Sequence, residues 1–117
     1  MKKKTNKDQQ ENYLERKPKR HEAIAWVKDE KGIVTLDIEN TGFFNRLAQK
    51  FFHKPKVTHI HLDEMGSFVW PIMDGEKDII AIGKEVEEQF GEKANPLYER
   101  LAKFFQVLDS YHFITWN

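Results

Sequence analysis

The chain has 117 residues, of which 39% are apolar, with nine Phe, three Trp and no Cys. This length and apolar content suit one domain around one modest core and leave too little for a second. The absence of Cys excludes disulfides, thiolate nucleophiles and Cys-ligated metal centres, and it suits a reducing compartment, so we expect a cytoplasmic protein. No run of residues is apolar enough for a signal-peptide core or a membrane span.

The formal net charge is zero, but the charges are unevenly distributed along the chain. Residues 1–20 hold eight Lys or Arg and three Asp or Glu, whereas residues 21–117 hold eleven and sixteen. We therefore expect a flexible basic tail over 1–20 and one folded domain over 21–117. Because Lys and Arg supply most of the non-specific affinity for phosphates, an acidic domain predicts no nucleic-acid partner.

The first half of the domain is predicted to contain three strands. Residues 23–27 and 33–38 are rich in apolar and β-branched side chains, and the Gly-containing turn between them predicts a hairpin. Residues 57–62 alternate, with Ile60 and Leu62 on one face and His59 and His61 on the other, which predicts the third strand. Between the second and third strands, residues 43–54 have the spacing of a short amphipathic helix.

Three helices and a short last strand are predicted to follow. Asp63 is placed to cap the first helix, which Pro71 should kink or shorten. Asp78 is placed to cap the second, and Gly91 to end it. The third should start with Asn95 as cap and Pro96 at the first helical position. Its predicted core stripe is Leu97, Leu101, Phe104 and Leu108, and residues 113–116 follow as the short strand.

One stretch of the sequence, residues 62–90, resembles the PqqD family. That family has a Leu and a small polar residue closing the third strand, then a small residue, two apolar positions, Asp-Gly, a helix cap and an apolar-periodic helix. Leu101, Leu108 and the pair Phe113-Ile114 extend the resemblance over residues 22 to 115. The matching positions are Leu62, Asp63, Gly66, Val69 with Trp70, Asp74 with Gly75, Asp78, and Ile79 with Ile82.

The resemblance implies an α+β winged helix-turn-helix fold: a three-stranded antiparallel sheet, then three helices. It also implies recognition of the leader of a precursor peptide, which adds to the third strand beside the third helix. A separate modifying enzyme, expected to be a radical-SAM protein, would perform the chemistry. The implied peptide-binding residues are Val57, Thr58, His59, Ile60, His61 and Leu62, with Tyr98, Lys103, Phe105 and Gln106 off the core stripe of the third helix.

Three features depart from the family pattern. The insertion 43–54 separates strands that are usually close in sequence, Pro71 interrupts the first helix, and His112 stands where Gly is usual. His tolerates a positive φ better than most residues. The insertion either packs its Phe residues on the domain, which we favour, or meets an anionic membrane surface or an acidic partner groove. Its apolar side chains are our candidate docking site for a partner enzyme or a second copy in a homodimer: Phe43, Phe44, Leu47, Phe51 and Phe52.

The histidines of the third strand permit two interpretations. His59 and His61 could bind metal together with His53, Asp63 or Glu64, but the spacing is weakly specific and we favour a structural or peptide-facing role. We therefore expect no metal and no cofactor. Neither a nucleophile beside a base nor a glycine-rich phosphate loop is recognisable, so we expect no enzymatic activity.

A winged-helix DNA-binding regulator is the alternative function, because three helices beside a hairpin also define that class. The charge of the third helix argues against it. Arg100 and Lys103 are balanced by Glu99 and Asp109, whereas a recognition helix usually carries several unbalanced cations.

Overall fold

The computed structural model describes residues 13–39 and 57–117, which form an α+β arrangement of antiparallel strands and three α-helices. This bears out the predicted fold class at that level. In chain order the elements are β1 (Pro18–Arg20), β2 (Ala25–Lys28), β3 (Val34–Glu39), β4 (Val57–His61), α1 (Glu64–Ile72), α2 (Ile79–Phe90), a 3₁₀ helix (Gly91–Ala94), α3 (Leu97–Ser110) and β5 (Ile114–Trp116).

The main sheet contains three antiparallel strands in the order β2-β3-β4. The predicted hairpin is confirmed: Val27 pairs with Thr35, and the Asp29 carboxylate accepts hydrogen bonds from the amides of Lys31 and Ile33 in the turn. Gly32 completes that turn at a φ of 84°, in the left-handed region that favours glycine. The buried side chains of β3 point to the helices and form the sheet side of the core: Val34, Leu36 and Ile38.

Side-chain caps start the first two helices as predicted. The Asp63 carboxylate accepts from the Gly66 amide at 2.7 Å, and the Asp78 carboxylate accepts from the Ala81 amide at 2.8 Å. These bonds satisfy amides that have no partner inside a helix. Pro71 lies in the last turn of α1, which ends one residue later, so Pro71 shortens the helix.

The start of α3 differs from the prediction. Asn95 is not its cap: the Asn95 amide donates to the Glu92 carbonyl at 3.1 Å and closes the 3₁₀ turn. The Asn95–Pro96 peptide bond is cis, and Pro96 has the extended conformation of an N-cap residue, so helical geometry begins at Leu97. Because the Asn95 backbone already serves the preceding turn, the Asn-Pro pair ends one element and precedes the next.

The core stripe of α3 is also shifted from the prediction. Phe105 is fully buried, so its assignment to a peptide-binding surface is wrong, whereas Phe104 is only half-buried. Both residues fit the three- and four-residue spacing of a helical stripe, and packing against β5 decides between them. The Phe105 and Trp116 ring centroids lie 6.2 Å apart. The buried residues of α3 are Leu97, Leu101, Phe105 and Leu108.

A second sheet pairs β1 with β5, so part of the expected tail belongs to the fold. Lys19 pairs with Thr115, the Tyr13 ring meets Trp116 edge-on at 5.8 Å, and the Arg16 guanidinium lies 4.0 Å above the Trp116 ring. Burial raises the pKa of the Tyr13 hydroxyl. The expectation of a flexible tail is therefore wrong for residues 13–20. Residues 1–12 lie outside the described residues.

Arg20, at the end of β1, closes the C-terminal end of α1. Its Nη1 atom donates to the carbonyls of Trp70, Pro71 and Met73 at 3.2, 2.6 and 3.1 Å. The last carbonyls of a helix have no partner within the helix, and a guanidinium carries several donors in a planar fork. Arg20, which we expected in a flexible basic tail, thus stabilises α1.

Two further expectations concern a turn and the insertion. His112 has a φ of 61° after α3, which agrees with its place at a position where the family usually has Gly. The insertion 43–54, with Phe43, Phe44, Leu47, Phe51 and Phe52, lies outside the described residues. Across the described ranges, no helix combines the length and apolar character needed to cross a membrane.

Candidate functional site

β4 lies at one edge of the main sheet, and within the described residues it pairs with β3 alone. Ile60 is opposite Leu36, and the Leu62 amide donates to the Val34 carbonyl at 2.9 Å. In an antiparallel ladder, successive residues direct their backbone groups alternately to one neighbour and to the other. The amides and carbonyls directed away from β3 are therefore those of Val57, His59 and His61.

The side chains of β4 also alternate between two faces. Thr58 is buried and Ile60 is half-buried on the core side of the sheet, and Leu62 follows on the same side. His59 and His61 are exposed on the opposite face. A strand added along this edge would place alternate side chains beside Ile60 and Leu62, and the remaining ones beside the two imidazoles.

Phe104 brings α3 next to the end of β4. At Gly66, in the first turn of α1, a Cβ atom would lie 3.0 Å from Phe104 Cε1 and 3.4 Å from Leu62 Cβ. The missing side chain of Gly66 therefore makes room for the Phe104 ring beside Leu62. The position of Phe104 identifies the side of α3 that faces the end of β4.

Helical spacing identifies the residues that share the Phe104 side of α3. Residues spaced i, i+3, i+4 and i+7 share one side of a helix. This set, which we call the α3 flank, contains one aromatic ring, one aliphatic side chain that is 44% exposed, and two cations. The α3 flank is Arg100, Lys103, Phe104 and Val107.

Of the four α3 residues predicted to bind peptide, only Lys103 belongs to the α3 flank. Tyr98 lies over α2, where a Cβ atom at Gly83 would be 2.8 Å from its ring, and Gln106 is exposed on another side. Phe105 is in the core. The sequence prediction did not include Phe104, Val107 or Arg100 in the candidate site, and it placed Phe104 in the core stripe. Gly66 was the available signal, since a small residue often marks the close approach of a large one.

The hydroxyl groups of Ser67 and Ser110 both have structural partners. Ser67 is fully buried, its Oγ accepts from the Val34 amide at 2.8 Å, and it donates to the Leu62 carbonyl at 3.2 Å. Ser110 donates to the Val107 carbonyl at 2.7 Å. Ser67 therefore ties α1 to the ends of β3 and β4, and neither hydroxyl has a base as its bonded partner.

The two histidines of β4 are both held by side chains of β3. His59 Nδ1 lies 2.6 Å from Asp37 Oδ1, and His61 Nδ1 lies 2.7 Å from Thr35 Oγ1. These contacts follow from the register, which places Asp37 opposite His59 and Thr35 opposite His61. Over residues 13–39 and 57–117, no three His, Asp or Glu side chains cluster as metal ligands, and His53 lies outside those ranges.

The fold and this site define a small α+β domain with an exposed strand edge beside a partly apolar helix. The family model for coenzyme PQQ synthesis protein D (PqqD) matches residues 32–114. The chain therefore belongs to the PqqD family, as its sequence resemblance indicated. Comparisons with curated proteins and with solved structures give no match.

Proposed function

We propose that this protein is a non-catalytic adaptor that binds a precursor peptide and presents it to a separate modifying enzyme, expected to be a radical-SAM protein in the cytoplasm. The peptide adds to the outer edge of β4 as an antiparallel or parallel strand. Membership of the PqqD family, whose description is coenzyme PQQ synthesis protein D, carries the proposal, because the family resemblance implies recognition of a precursor peptide.

The geometry of β4 supports this mode of binding. Peptides that extend a sheet need backbone donors and acceptors at a strand edge, together with pockets for alternate side chains. Val57, His59 and His61 direct the backbone groups outward. Ile60 and Leu62, with Phe104 and Val107 of the α3 flank, supply apolar surface beside this edge.

In this proposal α2 and α3 form the helical pair of a winged helix-turn-helix, with the hairpin β2–β3 as its wing. The arrangement serves peptide rather than DNA, because the α3 flank combines two cations with Phe104 and Val107. Docking of the modifying enzyme on the insertion 43–54 remains part of the proposal.

Titration of the isotopically labelled full chain with synthetic peptides encoded beside its gene tests the function. We expect one peptide to shift the backbone resonances of residues 57–62 and those of the α3 flank, with saturation at one equivalent. Shifts confined to other parts of the fold, or no saturable shifts with any such peptide, would refute the proposed function. A salt-dependent response to duplex DNA at α3 would instead favour the regulator class.

A further inference from the structure

The two imidazoles on the outer face of β4 have an arrangement that peptide binding does not require. Both rings are exposed, and both use Nδ1 to contact an oxygen of β3. Because a carboxylate accepts, His59 donates its Nδ1 proton to Asp37, and in the neutral ring this leaves the Nε2 lone pair available. Among the described residues neither Nε2 atom has a hydrogen-bond partner.

This arrangement is typical of histidines that bind metal through Nε2. A metal-binding His usually donates its other ring proton to a carboxylate or another oxygen, which fixes the tautomer and the ring orientation. Asp37 does this for His59 at 2.6 Å, and Thr35 is placed to do it for His61 at 2.7 Å. The spacing alone favoured a structural role, and the oxygen at each Nδ1 is the observation that changes this interpretation.

The strand geometry places the two rings on the same face of β4. Side chains two residues apart on a strand project from the same face and start about 7 Å apart, a gap that two imidazoles leaning together can bridge through a metal. Neutral imidazole nitrogen suits zinc, which prefers four ligands in a tetrahedron. Two protein nitrogens leave the other two positions for water.

We propose that His59 and His61 form a two-histidine site for a zinc-class divalent ion on the outer face of β4, with Asp37 and Thr35 as positioning residues. The site does not depend on the proposed peptide function, because its ligands are side chains and peptide addition uses the backbone of the same strand.

Calorimetric titration of the untagged full chain with Zn²⁺ at neutral pH tests the site. We expect one ion per chain, with binding weakened at least tenfold in His59→Ala and in His61→Ala. Asp37→Asn keeps both nitrogens but offers a weaker acceptor, so it should weaken binding by about tenfold, the lower end of the effect of such outer partners. His112→Asn is the matched control, since Asn tolerates the positive φ of 61° and the change removes a histidine from elsewhere.

Because His59 and His61 are exposed, we expect both alanine variants to fold like the parent, and circular dichroism is the control for this. The inference is overturned if no saturable binding occurs, if both β4 variants bind zinc like the parent, or if His112→Asn loses binding to the same extent. Unchanged binding by Asp37→Asn would overturn the positioning role assigned to the carboxylate.

Discussion

The Arg20 side chain alone holds three carbonyls at the C-terminal end of α1. Its three bonds to the end of α1 are charge-assisted, and their carbonyl partners would lose an ordered donor in Arg20→Ala. We expect Arg20→Ala to lower the free energy of unfolding by about 2–3 kcal/mol, measured by urea denaturation. Lys17→Ala, an exposed cation one residue before β1, should change it by no more than about 0.5 kcal/mol. Equal effects of the two variants would contradict the role of Arg20.

Gly66 and Phe104 provide a second test at this scale. Gly66→Ala places a methyl group 3.0 Å from Phe104 Cε1 and also 3.0 Å from the capping Asp63 carboxylate. We expect a loss of about 1–3 kcal/mol in the free energy of unfolding, because the ring must move in a packed junction. Adding Phe104→Leu to Gly66→Ala should cost less than the sum of the two single changes. If the two changes in unfolding free energy were strictly additive, Phe104 and position 66 would not interact.

At the scale of elements, the two edges of the main sheet allow a matched comparison. Proline removes a backbone donor and is tolerated at a strand edge where that donor faces outward. By the register, the amides of His61 in β4 and of Lys28 in β2 both point away from β3. We therefore expect His61→Pro to weaken peptide binding at least tenfold and Lys28→Pro to leave it unchanged, as measured by titration. The reverse order of effects would place the peptide on β2.

The turn between α1 and α2 contains a carboxylate, Asp74, that should make the stability of the fold depend on pH. The Asp74 carboxylate accepts from the amides of Glu76 and Lys77 at 2.9 and 3.2 Å, and these bonds hold its pKa below the usual value. A pKa that folding lowers gives stability that is present at neutral pH and is lost as the pH falls through the lowered value. Asp74→Asn should therefore be less stable than the parent at neutral pH, with the difference shrinking as the pH falls through the lowered pKa of Asp74. A pH-independent difference between their urea midpoints would contradict this.

At the scale of the whole molecule, the sequence was most informative where the determinants are local. The apolar, β-branched run 33–38 predicted β3, and the alternation in 57–62 predicted β4. The caps Asp63 and Asp78 predicted the starts of α1 and α2, and each of these signals is local in sequence. The short strand predicted over 113–116 is β5, whereas β1 and its pairing with β5 were missed, because β1 has three residues and the two strands lie far apart in sequence. No periodic pattern marks a strand as short as β1.

The candidate site was predictable in part for the same reason. Its strand followed from alternation, whereas the choice between Phe104 and Phe105 depended on Trp116, which joins α3 only in the folded molecule. The contacts of His59 with Asp37 and of His61 with Thr35 required the register of β3 on β4. The spacing of residues along α3 indicates which of them share a side of the helix. Which side faces β4 depends on contacts between residues far apart in the sequence.

Hydrogen exchange of individual amides tests most directly whether a peptide extends the main sheet at β4. We expect a bound peptide to slow exchange at Val57, His59 and His61, whose amides face outward. Thr58 and Ile60, which face β3, should change far less, giving an alternating pattern along the strand. Saturable peptide binding that leaves the outward amides unprotected, or protects all five equally, would contradict strand addition at this edge.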